Sequence, residues 1–306
     1  MPAPADRLRL GARRSPLAQI QARLVAEALA RQGVATSVMS VVTQGDRAWD
    51  RPLAEIGGKS VWTKELDEAL RDRRIDAAVH SLKDVETRLP EGIVLAAFLP
   101  RADPRDRLVG APALEALPQG ARVGTSSPRR AAQLKHRRPD CRPVPLRGNV
   151  ATRLGRLADG IMDATFLAAA GLDRLGIAAG TPLPVDAWLP AATQGIVAVA
   201  ARADDRPTLE RLAAIDDTDA RLAALAERAV LEALGGTCRT AVAVHARPVG
   251  PDWRVDAELL SPDGTERVVA WGRFAARPDA AWQAGAGLGA RLLAEASEAI
   301  RRSLAA

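Results

Sequence analysis

The chain has 306 residues, 47% of them apolar and 26% charged, an ordinary balance for a globular protein of two or three domains with real cores. Its 43 Lys and Arg against 37 Asp and Glu leave a net charge of +6, which admits a nucleic acid or a polyanionic small substrate as partner. Aromatics make up only 3% and tyrosine is absent, which argues against a stacking platform for single strands; two cysteines far apart and three scattered histidines argue against a disulfide framework or a metal site.

No segment is apolar for long enough to cross a bilayer, and residues 1–14 hold no apolar core of signal-peptide length, so a cytoplasmic protein with no membrane partner is expected. In chain order, a strand at Leu8–Leu10 leads through Arg13, Arg14, a capping Ser15 and Pro16 into an amphipathic helix ending near Arg31. Residues 36–42 alternate like a strand. The loop 43–60, with Gly57-Gly58 before Lys59, is long enough to be functional. A helix at 63–73 and an apolar strand at 75–79 follow, and His80-Ser81-Leu82-Lys83-Asp84 lies just past the carboxyl end of that strand, where open α/β sheets place their ligands. Another strand spans 93–98, and the proline-bearing charged segment 100–106 reads as a domain crossover.

The stretch 124–153 is the most informative. It sets Arg129, Arg130, Lys135, Arg137, Arg138, Arg142, Arg147 and Arg153 against one carboxylate, Asp140, and interleaves them with Thr125, Ser126, Ser127, Asn149 and Thr152. Ser127-Pro128 reads as an N-cap and first turn after a strand at 122–123, so backbone N–H groups and a positive helix end lie beside two arginines. Arginine's planar fork grips a carboxylate through two parallel bonds, which suits an anion site; a solvated basic face is the competing reading. Helix 128–137, strand 142–146, helix 149–159, strand 163–167 and a short helix 168–175 continue the alternation, and prolines 182, 184 and 190 mark a second crossover before a strand at 196–201. Strands alternating with helices imply parallel α/β layers in two similar lobes. Beyond residue 219 the pattern changes to a long helix, strands at 241–246, 253–260 and 267–274, and a terminal helix 279–303, a small α+β domain.

Asp84 is a carboxylate in a tight turn at a strand end beside Lys83, suited to facing a cation; a helix N-cap is its alternative. Cys238, in a glycine-bracketed loop beside Arg239, is either a thiol activated by its neighbour or inert packing.

Ordered segments add up to more than any one of them. ARRSPLA at 12–18, VTQGD at 42–46, IGGKSVWTKELDEAL at 56–70, DAAVHSLKDV at 76–85, DPRD at 103–106, VGTSSPRR at 123–130, LRGNVATRL at 146–154, AAAGLDRLG at 168–176, LPAATQG at 189–195 and LGGTCR at 234–239 together make the chain resemble the porphobilinogen deaminase (hydroxymethylbilane synthase) family over nearly its whole length. The resemblance implies two periplasmic-binding-protein-like α/β lobes with the active cleft between them, plus a small α+β C-terminal domain. Domain 1 would be 1–99 with 196–216, domain 2 would be 100–195, and domain 3 would be 217–306. It also implies a transferase that condenses four porphobilinogen molecules head to tail onto a dipyrromethane cofactor with loss of ammonia, through a cationic methylene-pyrrolenine, and then releases hydroxymethylbilane by hydrolysis. The cofactor would be held by a thioether to Cys238.

By the same resemblance Asp84 is the catalytic residue, hydrogen-bonding pyrrole nitrogens and stabilising the developing cation. Arg13, Arg129, Arg130, Arg147 and Arg153 would hold acetate and propionate carboxylates. Ser15, Ser81, Lys83, Thr125, Ser126, Ser127, Gly148, Asn149 and Gln194 would line the cofactor and substrate site, with Lys59 on the substrate side and Trp62 as lid. No metal, no nucleic acid and a monomer are implied. Glu55, Trp62, Pro128, Thr193 and Arg239 depart from common family residues, but none replaces a residue assigned chemistry. A non-catalytic organic-anion-binding protein built on the same lobes is the rival, and Cys238 in a separate domain is what that reading does not need.

Overall fold

A computed structural model of the chain describes residues 7–43, 62–235 and 240–305. In chain order the elements are β1 (Leu8–Arg13), α1 (Pro16–Arg31), β2 (Thr36–Val41), α2 (Lys64–Arg71), β3 (Ala77–Ser81), a 3₁₀ turn (Leu82–Asp84) and β4 (Ile93–Phe98). Next come β5 (Asp106–Val109), β6 (Arg122–Gly124), α3 (Pro128–Arg137), β7 (Arg142–Val144), α4 (Val150–Ala158), β8 (Ala164–Ala168), α5 (Ala169–Arg174) and β9 (Thr181–Pro182). The chain finishes with β10 (Val197–Arg202), α6 (Arg206–Ala213), α7 (Thr218–Ala233), β11 (Val242–Val249), β12 (Asp252–Leu260), β13 (Arg267–Ala275), α8 (Pro278–Glu295) and α9 (Glu298–Ala305). They form two compact units, one of residues 1–102 with 195–221 and one of residues 103–194 with 222–306.

The first unit holds a five-stranded sheet in the order β2-β1-β3-β10-β4. β1 runs parallel to β2 and β3, and β10 is antiparallel to both β3 and β4. One face is covered by α1, whose Ala22, Val25 and Leu29 recur at helical spacing and pack on Leu8, Leu10, Val197 and Val199. The other face is covered by α2 through Leu66 and Leu70 against Ile75, Ala78 and Ala200. Because both faces are buried, β10 reads as a continuous apolar run, VAVAA, before Arg202. Leu29 is fully buried, so Leu29→Ala removes a side chain whose loss costs about 2–5 kcal/mol.

The second unit repeats the plan. Its sheet runs β7-β6-β8-β5-β9, with β6 parallel to β7 and β8, and β5 antiparallel to β8 and β9. In each sheet the fourth strand is the one that follows a chain crossing from the other unit, and it enters antiparallel. Val123, Leu134, Ala164 and Phe166 build its core, and the Phe166 and Trp188 rings stack at 4.7 Å. A separate antiparallel meander, β11-β12-β13, carries α7 and α8. Gly285 lets α8 approach α7, since a Cβ there would lie 2.1 Å from the Ala226 carbonyl oxygen.

Three expectations are corrected. The segment 100–106 is not all crossover: Asp106 opens β5, whose alternation buries Asp106 and Leu108. The terminal helix is two helices, because Ala296 is extended (ψ 137°) and the Ser297 hydroxyl accepts the Ile300 amide to start α9. The short strand β9 and helix α6, the latter capped by Asp205 on the Thr208 amide, carry too few periodic residues to stand out in the sequence.

Candidate active site

In the first unit a small, open pocket lies past the carboxyl ends of β1 and β3. Ser15 caps α1 by accepting the Ala18 amide, and Pro16 fills the first helical position, which fixes the turn that carries Arg13 to the pocket wall. The Arg13 guanidinium stands 4.0 Å over the Trp62 ring. From β3, Ser81 accepts a 2.8 Å bond from Gln21 Nε2, and Asp84 reaches the same wall one 3₁₀ turn later. Asp84 ends that turn and Ser81 precedes it, so the reading of Asp84 as a helix N-cap does not hold. Burial first, and then the neighbouring Arg13 charge, push the His80 imidazole down to about 4, so it stands neutral in the pocket wall. Lys83 is half-buried in the same turn.

The second unit holds the basic stretch. Ser127 caps α3 by accepting the Arg130 amide at 3.4 Å, and Thr125 Oγ1 accepts the Ser127 amide at 3.1 Å. Ser126 Oγ donates to the Leu146 carbonyl at 3.0 Å and accepts the Leu146 amide at 3.1 Å, tying the end of β6 to the loop after β7. Asn149 caps α4 through its bond from the Thr152 amide at 2.9 Å. Arg153 Nε donates to the Gly148 carbonyl at 2.8 Å. Gly148 has φ +107° and its missing Cβ would lie 2.7 Å from Thr152, so only glycine suits this approach. The hydroxyls and the amide expected at the site thus build its loops, through bonds that leave lone pairs on the Thr125 and Ser127 oxygens, while Asn149 Oδ1 is filled by the Thr152 amide and hydroxyl.

Arg129 and Arg130 are 4% and 6% exposed, and both turn to Asp106, which is fully buried. Arg129 Nη1 donates to Asp106 Oδ2 at 2.8 Å; Arg130 Nη2 donates to Oδ1 at 2.6 Å and Nε to Oδ2 at 3.2 Å. Trp188 Nε1 adds a bond to Oδ2 at 2.9 Å, and Gln194 Nε2 one to Oδ1 at 2.9 Å. Burial alone would raise the Asp106 carboxyl, but the Arg129 and Arg130 charges outweigh it and hold it well below the usual carboxylate range. Sequence reasoning missed Asp106. Its signal was a carboxylate at the end of DPRD, just ahead of the most basic stretch in the chain.

Pocket residues Arg13, Ser15, Trp62, Ser81 and Asp84 come together in the first unit, and Thr125, Ser126, Ser127, Arg129, Arg130, Arg147, Gly148, Asn149, Arg153 and Gln194 belong to the second. Lys59 and Cys238 lie outside the described residues. Cys141 is buried in the second unit's core beside Val123 and Leu134, and burial pushes its thiol up.

Two family patterns match the sequence. Residues 8–210 match "Porphobilinogen deaminase, dipyromethane cofactor binding domain" and residues 221–294 match "Porphobilinogen deaminase, C-terminal domain". The chain belongs to the porphobilinogen deaminase family. Porphobilinogen deaminase of Sphingopyxis alaskensis is 50% identical over 99% of this chain and 98% of its own length. That of Paracoccus denitrificans is 49% identical over 88% of this chain and 89% of its own. Among solved structures, a periplasmic substrate-binding protein of an ABC transporter from Coxiella burnetii matches 72% of this chain and 96% of its own with TM-score 0.41 and 19% identity.

The cofactor of this porphobilinogen deaminase family, dipyrromethane, brings carboxylates and pyrrole N–H groups, and the described residues fit both. Arg147 Nη1 and Arg129 Nε are buried with no hydrogen-bond partner among the described residues, a shortage of acceptors that carboxylates would correct. Asp84 supplies an acceptor in the pocket wall for N–H donors. Among the described residues no cluster of His, Cys, Asp and Glu could hold a metal ion, and no helix is long and apolar enough to cross a membrane.

Proposed function

We propose that the chain is a porphobilinogen deaminase, the transferase that joins four porphobilinogen molecules head to tail on a dipyrromethane primer and then releases hydroxymethylbilane by hydrolysis. In each addition the bond from the aminomethyl carbon to nitrogen breaks, ammonia leaves, and that carbon bonds to the free α-carbon of the growing chain, which gives up a proton. The observation that carries the reading is the carboxylate of Asp84 in a pocket wall with Arg13, within a sequence that matches the family over residues 8–210 and 221–294.

Asp84 would accept hydrogen bonds from pyrrole nitrogens and stabilise the positive charge that appears as ammonia departs, an interaction made where charge develops. Arg13, Arg147 and Arg153 would pair with substrate carboxylates, and Arg129 and Arg130 would contribute positive charge from behind. Ser15, Ser81, Lys83, Thr125, Ser126, Ser127, Gly148, Asn149 and Gln194 would complete the binding surface, with Lys59 on the substrate side and Trp62 as lid. Cys238 would anchor the cofactor by a thioether, and the cofactor supplies the α-carbon on which the chain grows. We place the protein in the cytoplasm as a monomer without nucleic-acid partner, with three domains at 1–99 plus 196–216, 100–195 and 217–306.

The test is the intact mass of the purified protein with peptide mapping. Cys238 should carry two porphobilinogen units less two ammonia while Cys141 is unmodified, and Cys238→Ser should be folded and cofactor-free. An unmodified Cys238 in protein that turns over porphobilinogen would refute the anchor, and absence of turnover in cofactor-loaded protein would refute the activity.

A further inference from the structure

Asp106 is fully buried and cannot touch a substrate, yet five side-chain hydrogen bonds converge on it. A buried carboxylate with two arginines is a costly arrangement unless every charge is paired and hydrogen-bonded, and here the buried Glu258 carboxylate also acts on Arg129. Arg130 spends Nε and Nη2 on Asp106 and Nη1 on the Phe166 carbonyl at 2.9 Å, so its fork has one fixed orientation. Arg129 uses Nη1 for Asp106, for Gln133 at 3.0 Å and for the Leu189 carbonyl at 3.2 Å, while its buried Nε has no hydrogen-bond partner among the described residues. The fourth partner, Gln194, also donates to the Pro104 carbonyl at 2.7 Å. Pro104 and Gln194 stand beside two of the three places where the chain passes from one unit to the other, after Ala102 and after Gln194. One carboxylate therefore pins these two of the three crossover segments to the base of the arginine pair.

We propose that Asp106 is a positioning residue for porphobilinogen binding, setting the orientation of Arg129 and Arg130 and tying them through Gln194 to the crossover segments. The proposal rests on the function given above. Asp106 accepts from both guanidinium groups and so holds the pair in one arrangement, while the buried Arg129 Nε is left to attract an anion. Replacing the carboxylate by an amide turns N–H donors toward N–H donors and frees both forks from their common acceptor.

The experiment uses the full-length holoprotein. Asp106→Asn should raise KM for porphobilinogen at least about tenfold while kcat changes less than about threefold, and phenylglyoxal should now label Arg129 and Arg130, which wild type protects; peptide mass mapping reads the labelling. Asp106→Asn/Arg130→Gln should show no further rise in KM over Asp106→Asn, because Asp106 acts through the arginines. Should Asp106→Asn fail to fold, Trp188→Phe leaves a ring against Phe166 and removes the Nε1–H donor to Oδ2 together with part of the indole; a KM rise of about threefold is expected there. Unchanged KM in the folded variant, or additive KM effects in the double variant, overturns the proposal and leaves the activity standing. Wild-type holoprotein that does not turn over porphobilinogen removes the activity and the proposal with it.

Discussion

The backbone amide of Thr193 donates to the buried carboxylate of Glu227, and Thr193 is held there at φ +62°. A β-branched residue in this left-handed region is strained by about 1–3 kcal/mol, and it persists only when its surroundings over-determine it. Glu227 also accepts the Ala246 amide at 2.7 Å, so one side chain of α7 joins the 189–195 segment to β11. Glu227→Gln should lower stability by about 1–3 kcal/mol, since an amide accepts through only one of its two polar atoms and leaves a buried amide N–H unsatisfied. Thr193→Gly should not lower the melting temperature, because glycine takes this φ without strain; calorimetry on both variants checks the pair.

Asp84 closes a 3₁₀ turn and caps nothing, which separates chemistry from stability. Asp84→Asn keeps the shape and removes the charge, so it should melt within about 1 °C of wild type, retain cofactor, and lose turnover by at least roughly a thousandfold, about 4 kcal/mol. Asp84→Glu should fall between the two. Single-turnover ammonia release checks both, and near-normal turnover in Asp84→Asn would defeat the assignment.

Arg130 and Arg147 should fail differently. Arg130→Leu leaves Asp106 with half its positive neighbours and should cost about 3–5 kcal/mol of stability. Arg147 Nη1 has no hydrogen-bond partner to lose among the described residues, so Arg147→Leu should stay folded and lose turnover ten- to a hundredfold, the worth of one charged contact of about 1.5–3 kcal/mol. Melting curves and steady-state rates on the two proteins distinguish these outcomes.

Burial and the Arg13 charge set the pH response of His80. Its folded pKa of about 4 lies below the ordinary value near 6.5, so the unfolded chain binds a proton that the folded chain refuses. Its contribution is fully present above about pH 6.5 and declines as pH falls toward 4. Between pH 7 and pH 5 the loss should be on the order of 2 kcal/mol. His80→Gln should remove that slope, and urea unfolding at the two pH values measures it.

Local grammar alone located much of this protein. Ser15-Pro16 and Ser127-Pro128 read as helix starts and are, because an N-cap hydroxyl and a proline at the first helical position act within one turn and need no distant partner. The alternation of strands and helices gave two similar α/β sheets for the same reason. Asp84 was legible as a carboxylate past a strand end. What the linear order could not reveal is where β10 and β5 enter: each inserts antiparallel beside strands far away in sequence, a pairing decided by which apolar surfaces meet. Nor could it reveal that Arg129 and Arg130, adjacent to hydroxyls in sequence, turn inward. Asp106 and Trp188 approach them only once β5 lies beside β8 and Trp188 stacks on Phe166, and in that dry surrounding an ion pair outweighs solvation of the guanidinium groups.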